Sequence, residues 1–248
     1  MFEGVLSPVF DPLLKLPMVW VVVIMAFLIT FLITVIYKFT TNQNLMKELK
    51  DEMKELQKEM KELKSDPQKM MQVQKKSMQT NMKYMSHSMR SMLFTFIPII
   101  LIFGWMNANL AYEPIVPGQE FTTSVLFYDN VNGDVELIVP EGITSDGELS
   151  KTISDGEIKW VLKGDEGEYL LEYNVNERSY TKELLITEEQ SYAEPIKAVK
   201  DKTVRQISID NNKIKVFNLL GWKLGWLGSY IILSIVFSMG LRKLFKVY

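Results

Sequence analysis

LPMVWVVVIMAFLITFLITVIY occupies residues 16–37, uncharged from end to end and bracketed by Lys15 and Lys38. A helix that crosses the ~30 Å hydrocarbon core of a bilayer needs about 20 apolar residues, and this run has that length. It exceeds the apolar core of a secretory signal, and no small-residue cleavage site follows it, so an uncleaved anchor is expected. Two further uncharged runs repeat the signal. One spans residues 91–112, between Arg90 and Glu113. The other spans residues 224–241, between Lys223 and Arg242, with Trp222 and Trp226 at one end, where indole rings favour the headgroup level. No soluble amphipathic partner segments remain to cover three buried core helices, so the runs read as transmembrane helices.

The whole chain supports that reading. Its 248 residues carry 28 Lys+Arg against 30 Asp+Glu, one His and no Cys. Without cysteine there is no disulfide framework, no thiolate metal site and no thiol nucleophile. His87 alone gives no paired-imidazole metal site. A net charge of −2 argues against a general nucleic-acid binder. No cofactor is expected, and no catalytic constellation is present.

Flanking charges set the expected topology. Residues 38–90 carry 12 Lys/Arg and 7 Asp/Glu, and the tail 242–248 adds Arg242, Lys243 and Lys246 with no acid. Residues 113–223 carry 12 Lys/Arg against 21 Asp/Glu. The organisation expected is an extracellular N-terminus over 1–15, a first span over 16–37, a cytoplasmic segment over 38–90 and a second span over 91–112. An extracellular domain over 113–215, a third span over 222–241 and a cytoplasmic tail over 242–248 follow. A multi-pass protein of the plasma membrane is implied.

Working outward from the first span, Met-Lys-Glu-Leu occurs three times, at 46–49, 53–56 and 60–63. Met46, Met53 and Met60 take one core position of a heptad, and Leu49, Leu56 and Leu63 the other, a coiled-coil pattern. Ser65-Asp66-Pro67 breaks it. Beyond the break Met71, Met78, Met85 and Met92 recur every seven residues, joined by Met82 and Met89, beside the polar row Gln74, Asn81 and Ser88. Two helices of similar length joined by a short turn predict an antiparallel hairpin. Ten of the 15 methionines lie between 46 and 92. Either the second row fills the hairpin core, or it is an adaptable apolar surface for varied partners, a task suited to the unbranched, polarizable Met side chain. Lys69, Lys75, Lys76, Lys83 and Arg90 also have two readings, anionic headgroups or the phosphates of ribosomal RNA.

The spans carry polar groups but no charge. Thr30 and Thr34 share one face of the first, Thr95, Pro98, Asn107 and Asn109 lie in the second, and Ser229, Tyr230, Ser234 and Ser238 in the third. Thr30, Thr34, Thr95, Asn107, Ser229, Ser234 and Ser238 are the candidate lining of a groove open to lipid. The competing reading is that these hydroxyls bond only to their own helices. Gly221, Gly225 and Ser229 form a small-xxx-small series that permits close helix approach.

Between the second and third spans the pattern changes to strands. β-rich runs appear at Phe121–Tyr128, Val135–Val139, Ile158–Leu162, Tyr169–Val175, Ser179–Thr187 and Val204–Ile209. Turn signals such as Asn132-Gly133-Asp134 and Asp155-Gly156 separate them. A small antiparallel sandwich is expected, with residues 188–203 as an irregular connection. The fold class is therefore membrane α-helical: three transmembrane helices, a cytoplasmic antiparallel helical hairpin, and an extracellular all-β, sandwich-like insert.

The Lys/Glu/Leu/Met hairpin over 45–64, the segment Ser65-Asp66-Pro67-Gln68-Lys69-Met70-Met71 and the junction Met89-Arg90-Ser91-Met92-Leu93-Phe94-Thr95-Phe96-Ile97-Pro98 stand in a recognisable order. By these features the chain resembles the Oxa1/YidC/Get1/EMC3 insertase superfamily, and most closely its archaeal YidC-like proteins, over about 1–112 and 216–248. The resemblance implies a non-enzymatic insertase or chaperone. It would help nascent hydrophobic segments of membrane proteins, with short polar flanks, enter the bilayer through a lipid-open hydrophilic groove. Met71, Met78, Met82, Met85, Met89 and Met92 would meet the client first. Nascent segments, lipids, the ribosome and a small membrane-protein partner are the partners implied. Bacterial members place an Arg inside the groove. Here the three spans hold none, and Lys38 is the nearest cation. The contrasting reading is a scaffold or sensor that dimerises through its coiled coil and binds a ligand with its outer domain.

Overall fold

The computed structural model describes residues 3–63, 66–154, 156–219 and 221–247. Ser65 of the expected helix break, Asp155 of one turn signal and Tyr248 of the tail lie outside them. The chain forms two compact units, one of residues 1–105 with 216–248 and one of residues 106–215.

The first unit is helical. A short helix α1 (Glu3–Phe10) and a 3₁₀ turn (Asp11–Lys15) precede α2 (Met18–Thr40), whose N-cap is Pro17. The indole of Trp105 donates to Asp11 Oδ1 at 3.0 Å and its ring lies 5.2 Å from Phe10, so this N-terminal piece is pinned to the second span. Asn42 then caps α3 (Gln43–Glu62), its side chain accepting from the N–H groups of Asn44 and Leu45. Asp66 and Pro67 restart the chain as α4 (Pro67–Leu110). Asp66 Oδ1 accepts from Lys69 N, and proline suits the first helical position because it has no N–H to leave unpaired. α4 runs unbroken through Pro98 for 44 residues, about 66 Å at ~1.5 Å per residue, so the second hairpin arm and the second span are one helix.

The third span is α5 (Trp226–Leu244), capped by Gly225. It packs closely on α2, with Phe27 and Phe237 edge to face at 5.5 Å, and meets α4 through Phe103, 5.0 Å from Tyr230. Helices α2, α4 and α5 are long and apolar enough to cross a membrane. Two features ahead of the third span differ from the sequence reading. Trp222 lies in a short strand ahead of the helix. Gly221 sits in a turn at φ +93°, so Gly221, Gly225 and Ser229 do not form one helical face.

Beyond the last turn of α4 the second unit is β, and its strands pair antiparallel. Strands β1 (Phe121–Phe127), β2 (Asp134–Ile138), β3 (Ile143–Ser145), β4 (Ser150–Thr152), β5 (Glu157–Gly164), β6 (Gly167–Val175), β7 (Arg178–Ile186), β8 (Ile196–Ala198) and β9 (Val204–Ile209) make two sheets, ordered β3-β5-β1-β9-β8 and β4-β2-β6-β7. Alternation decides which face turns inward, as in β5, where Ile158, Trp160 and Leu162 are buried and their neighbours exposed. Val125, Trp160 and Ile207 of one sheet join Leu137, Leu171 and Tyr173 of the other in one core, which makes the sandwich. The three-residue strands β3, β4 and β8 escaped the sequence reading, and β8 lies inside the stretch expected to be irregular. On edge strand β7, outward carbonyls accept from lysines, Thr181 O from Lys197 and Glu183 O from Lys182. Such capping discourages pairing with another chain. Burial holds the Lys182 ammonium below its ordinary pKa, against the opposing pull of Glu183 and Glu194.

Candidate functional site

The two ends of α2 behave differently. Val21, Val22, Met25, Ala26 and Ile29 are fully buried and apolar, so the first half of the helix is packed dry. From Thr30 onward a polar row begins. Thr30, Thr34 and Tyr37 line a cavity of about 340 Å³ together with Tyr230, Ser234, Ser238 and Arg242 of α5. The cavity is partly open, and Ile33, Ile235 and Met239 give it apolar walls.

Thr30 Oγ1 donates to Ala26 O at 2.6 Å, Thr34 Oγ1 to Thr30 O at 2.7 Å and Ser234 Oγ to Ile231 O at 2.9 Å. Each hydroxyl hydrogen is used within its own helix. A hydroxyl oxygen has two lone pairs, so these groups keep acceptor capacity toward the cavity. Donor capacity comes from Arg242, whose guanidinium lies 5.5 Å from the Tyr37 ring centroid. Lys38 is placed otherwise, its ammonium 5.5 Å from the Phe245 ring. The last turn of α5 closes by Val247 N–H donating to Arg242 O at 2.9 Å, with Lys246 at φ +50°. That bond returns the buried Val247 to the cavity wall.

Of the seven candidate lining residues, Thr30, Thr34, Ser234 and Ser238 come together here. Thr95, Asn107 and Ser229 do not. Thr95 is buried and donates to Met92 O, Ser229 is buried and donates to Gly225 O, and Asn107 belongs to the β unit, where its carbonyl accepts from Tyr192. Sequence reasoning missed Tyr37 and Arg242. It ended the third span at Leu241 because a charge follows, whereas the helix runs to Leu244. The signal was available: Tyr230, Ser234, Ser238 and Arg242 recur every four residues, one helical row.

The hairpin arms divide their methionines. On α3 the heptad row is inward, with Met46, Leu49 and Leu56 buried. On α4 the half-buried or buried residues are Met70, Val73, Ser77, Thr80, Tyr84, Ser88 and Ser91. That seam is offset by one residue from the Met71, Met78, Met85, Met92 row. Lys76 Nζ meets Glu52 Oε1 at 3.3 Å and Tyr37 OH lies 3.4 Å from Ser88 Oγ, which fixes the antiparallel pairing. Met71, Met78, Met82, Met85, Met89 and Met92 are all exposed. They run on into exposed Leu93, Phe96, Ile97 and Ile100 of the span. The five basic candidates are exposed as well. Lys69 pairs with Asp66 and Lys76 with Glu52, and among the described residues no carboxylate pairs with Lys75, Lys83 or Arg90. Among the described residues no cluster of His, Cys, Asp or Glu could hold a metal ion.

A family model described as integral membrane protein EMC3/TMCO1-like matches residues 5–128. No curated protein and no solved structure matches the chain.

Proposed function

The chain belongs to the EMC3/TMCO1-like family of integral membrane proteins, within the Oxa1/YidC/Get1/EMC3 insertase superfamily, and from that premise we propose that it inserts hydrophobic nascent segments with short polar flanks into the bilayer. The observation that carries the reading is the polar cavity at the hairpin end of α2 and α5, in a bundle whose other half is dry.

The mechanism is solvation. A client helix partitions into lipid readily, but each unpaired polar group of its flank costs several kcal/mol in hydrocarbon. The cavity offers hydroxyl oxygens to the N–H groups of the flank and the Arg242 guanidinium to its carbonyls and carboxylates. It thereby shortens the dry path. The apolar part of the client partitions sideways from the partly open cavity into lipid, and no covalent step or nucleotide is needed. Arg242 supplies the electrostatic element that the spans lack in sequence, from the last turn of α5. Acidic flanks should gain most from it.

The exposed methionine row is the first contact. It lies outside the hairpin seam and continues along the same helix into the span, a track of dispersion contacts from solvent to lipid. The charge pattern supports a cytoplasmic hairpin and an outer β domain, with the N-terminus outside in the plasma membrane. That α3 faces α4 of the same chain weighs against a sensor dimerised through this coil.

Photocrosslinkers placed along α4 should react with stalled nascent chains. Changing Met78, Met82, Met85 and Met89 together to Ser should abolish most of that reaction while the protein stays folded in membranes. Unchanged crosslinking would remove the client role from the row.

A further inference from the structure

Ahead of α5 the chain forms a two-stranded hairpin, β10 (Phe217–Leu219) and β11 (Trp222–Leu224). Gly221 turns it at φ +93°, a left-handed value that a side chain resists, and its N–H donates to Asn218 Oδ1 at 3.2 Å. The register pairs Phe217 with Leu224, Asn218 with Lys223 and Leu219 with Trp222. Residues directly opposite in an antiparallel pair share a face. One face is therefore Phe217, Leu224, Leu219 and Trp222, wholly apolar, and the other is Asn218 and Lys223, wholly polar.

The apolar face is covered only at its base. Phe217 and Leu224 are half-buried, and a Cβ on Gly228 of α5 would lie 3.4 Å from Leu224 Cδ2, so the glycine lets that leucine settle on the helix. Toward the tip Leu219 is 47% and Trp222 77% exposed. A lone two-stranded hairpin is marginal in water, and one that turns its indole outward gains nothing from water. The hairpin is also tied rigidly to a membrane span. Val216 N–H donates to Leu224 O at 2.8 Å, and Gly225 alone separates β11 from α5. The first turns of α5 are themselves exposed and apolar at Leu227 and Ile231. The bare face is thus continuous with a surface that faces lipid.

We infer that this hairpin is an interfacial anchor, with Leu219 and Trp222 set into the headgroup and upper acyl layer of the leaflet that α5 enters first, and Asn218 and Lys223 turned toward water and lipid phosphates. Its depth is bounded physically. Both strand edges have unpaired backbone groups, which the hydrocarbon core does not accept. An indole, apolar with one donor, prefers the same level. Because the anchor is continuous with α5, it fixes the depth and rotation of everything on that helix, including Arg242, about 24 Å further along at ~1.5 Å per residue. The anchoring itself is independent of what the cavity accepts.

The chain has no cysteine, so single-cysteine probes are unambiguous. Asn218→Cys, Leu219→Cys, Trp222→Cys and Lys223→Cys are each reconstituted in phosphatidylcholine–phosphatidylglycerol vesicles and treated with a water-soluble maleimide. The expected result is alternation, with 218 and 223 reacting several-fold faster than 219 and 222, whatever the protein-to-lipid ratio. A fluorophore on Leu219→Cys should be quenched by spin labels on headgroups and upper acyl carbons and protected from iodide. Equal rates at all four positions, or quenching by iodide alone, overturns the anchor. Protection at 219 and 222 that vanishes on dilution with lipid overturns it in favour of contact between copies of the chain. Should Trp222→Cys fail to fold, the 218, 219 and 223 variants still report the alternation.

Discussion

Methionine recurs every seven residues in both arms of the hairpin, yet Met46 on α3 is fully buried while Met78 on α4 is 64% exposed. The neighbours make the difference. On α3 the methionines stand beside Leu49, Leu56 and Leu63, and the opposite face is Lys and Glu, so only one face can be buried. On α4 two seven-residue rows lie side by side. One is Met71, Met78 and Met85, and the other, one residue earlier, is Met70, Ser77 and Tyr84, with Thr80 and Ser88 nearby. Close packing leaves no room for bulky rows on both sides of one seam. Met70, Ser77, Thr80, Tyr84 and Ser88 are buried or half-buried, and Met71, Met78 and Met85 are turned out. A period shows that a helix has a face, and the volume of the partner decides whether that face is covered.

Truncating the inward row should have the largest effect. Leu49→Ala and Leu56→Ala each remove a buried side chain, at about 2–4 kcal/mol in a well-packed site. The double variant should open the hairpin and admit protease near residues 63–67 in proteoliposomes. Parental resistance would mean that the α3 row is not what holds the arms together. Second in size is a contrast along α2. Thr30→Leu with Thr34→Leu removes two acceptors from the cavity without adding charge. Insertion of clients with polar N-terminal tails should slow roughly tenfold, about 1.4 kcal/mol of barrier, and that of clients without tails should not change. Equal rates for mutant and parent would show that this face is not the route. The third tests the outward row as structure. Met78, Met82, Met85 and Met89 changed to Ser should each alter stability by no more than about 0.5 kcal/mol, read as an unchanged melting profile. Melting as low as that of the leucine double variant would erase the contrast between the rows.

The sequence exposes what repeats locally and hides what depends on a partner. Three apolar runs announce three spans because bilayer thickness fixes their length, and alternation in Ile158–Leu162 or Tyr169–Val175 announces strands. Ile143–Ser145 and Ile196–Ala198 are too short to alternate and exist only through the neighbours they pair with. Thr30 and Thr34 were legible as a polar face because four residues separate them. Arg242 was not, because a charge directly after Leu241 reads as the end of a span. Thr95 and Ser229 show the converse. Their residue type suits a groove, and they bond to their own backbones as Thr30 and Thr34 do, but packing leaves them off the cavity wall. The seam on α4 was ambiguous for the same reason, since Ser77 and Thr80 carry no hydrophobic signal of their own.

The smallest effects separate two basic residues side by side on α4. Lys76 meets Glu52 across the seam at 3.3 Å, and among the described residues Lys75 has no such ion pair. The pair is exposed, so Lys76→Gln should cost no more than about 0.5 kcal/mol of stability, and Lys75→Gln should cost less. Their value as contacts should run the other way, because the Lys76 charge is already offset. Lys75 lies about 24 Å along α4 from Ser91, where the second apolar run begins. On a helix standing along the bilayer normal, that distance exceeds the ~8 Å screening length at physiological salt, which favours RNA phosphates over headgroups for Lys75 and headgroups for Arg90. If the hairpin docks on ribosomal RNA, Lys75→Gln should reduce the salt slope of ribosome binding by about 0.7–0.9. Lys76→Gln should reduce it less, and Glu52→Gln should raise it. Arg90→Gln should instead weaken association of the detergent-solubilised protein with anionic vesicles. A ribosome-binding slope indifferent to Lys75 would take RNA away from Lys75 and leave the outward methionines as the contact surface to test on that arm.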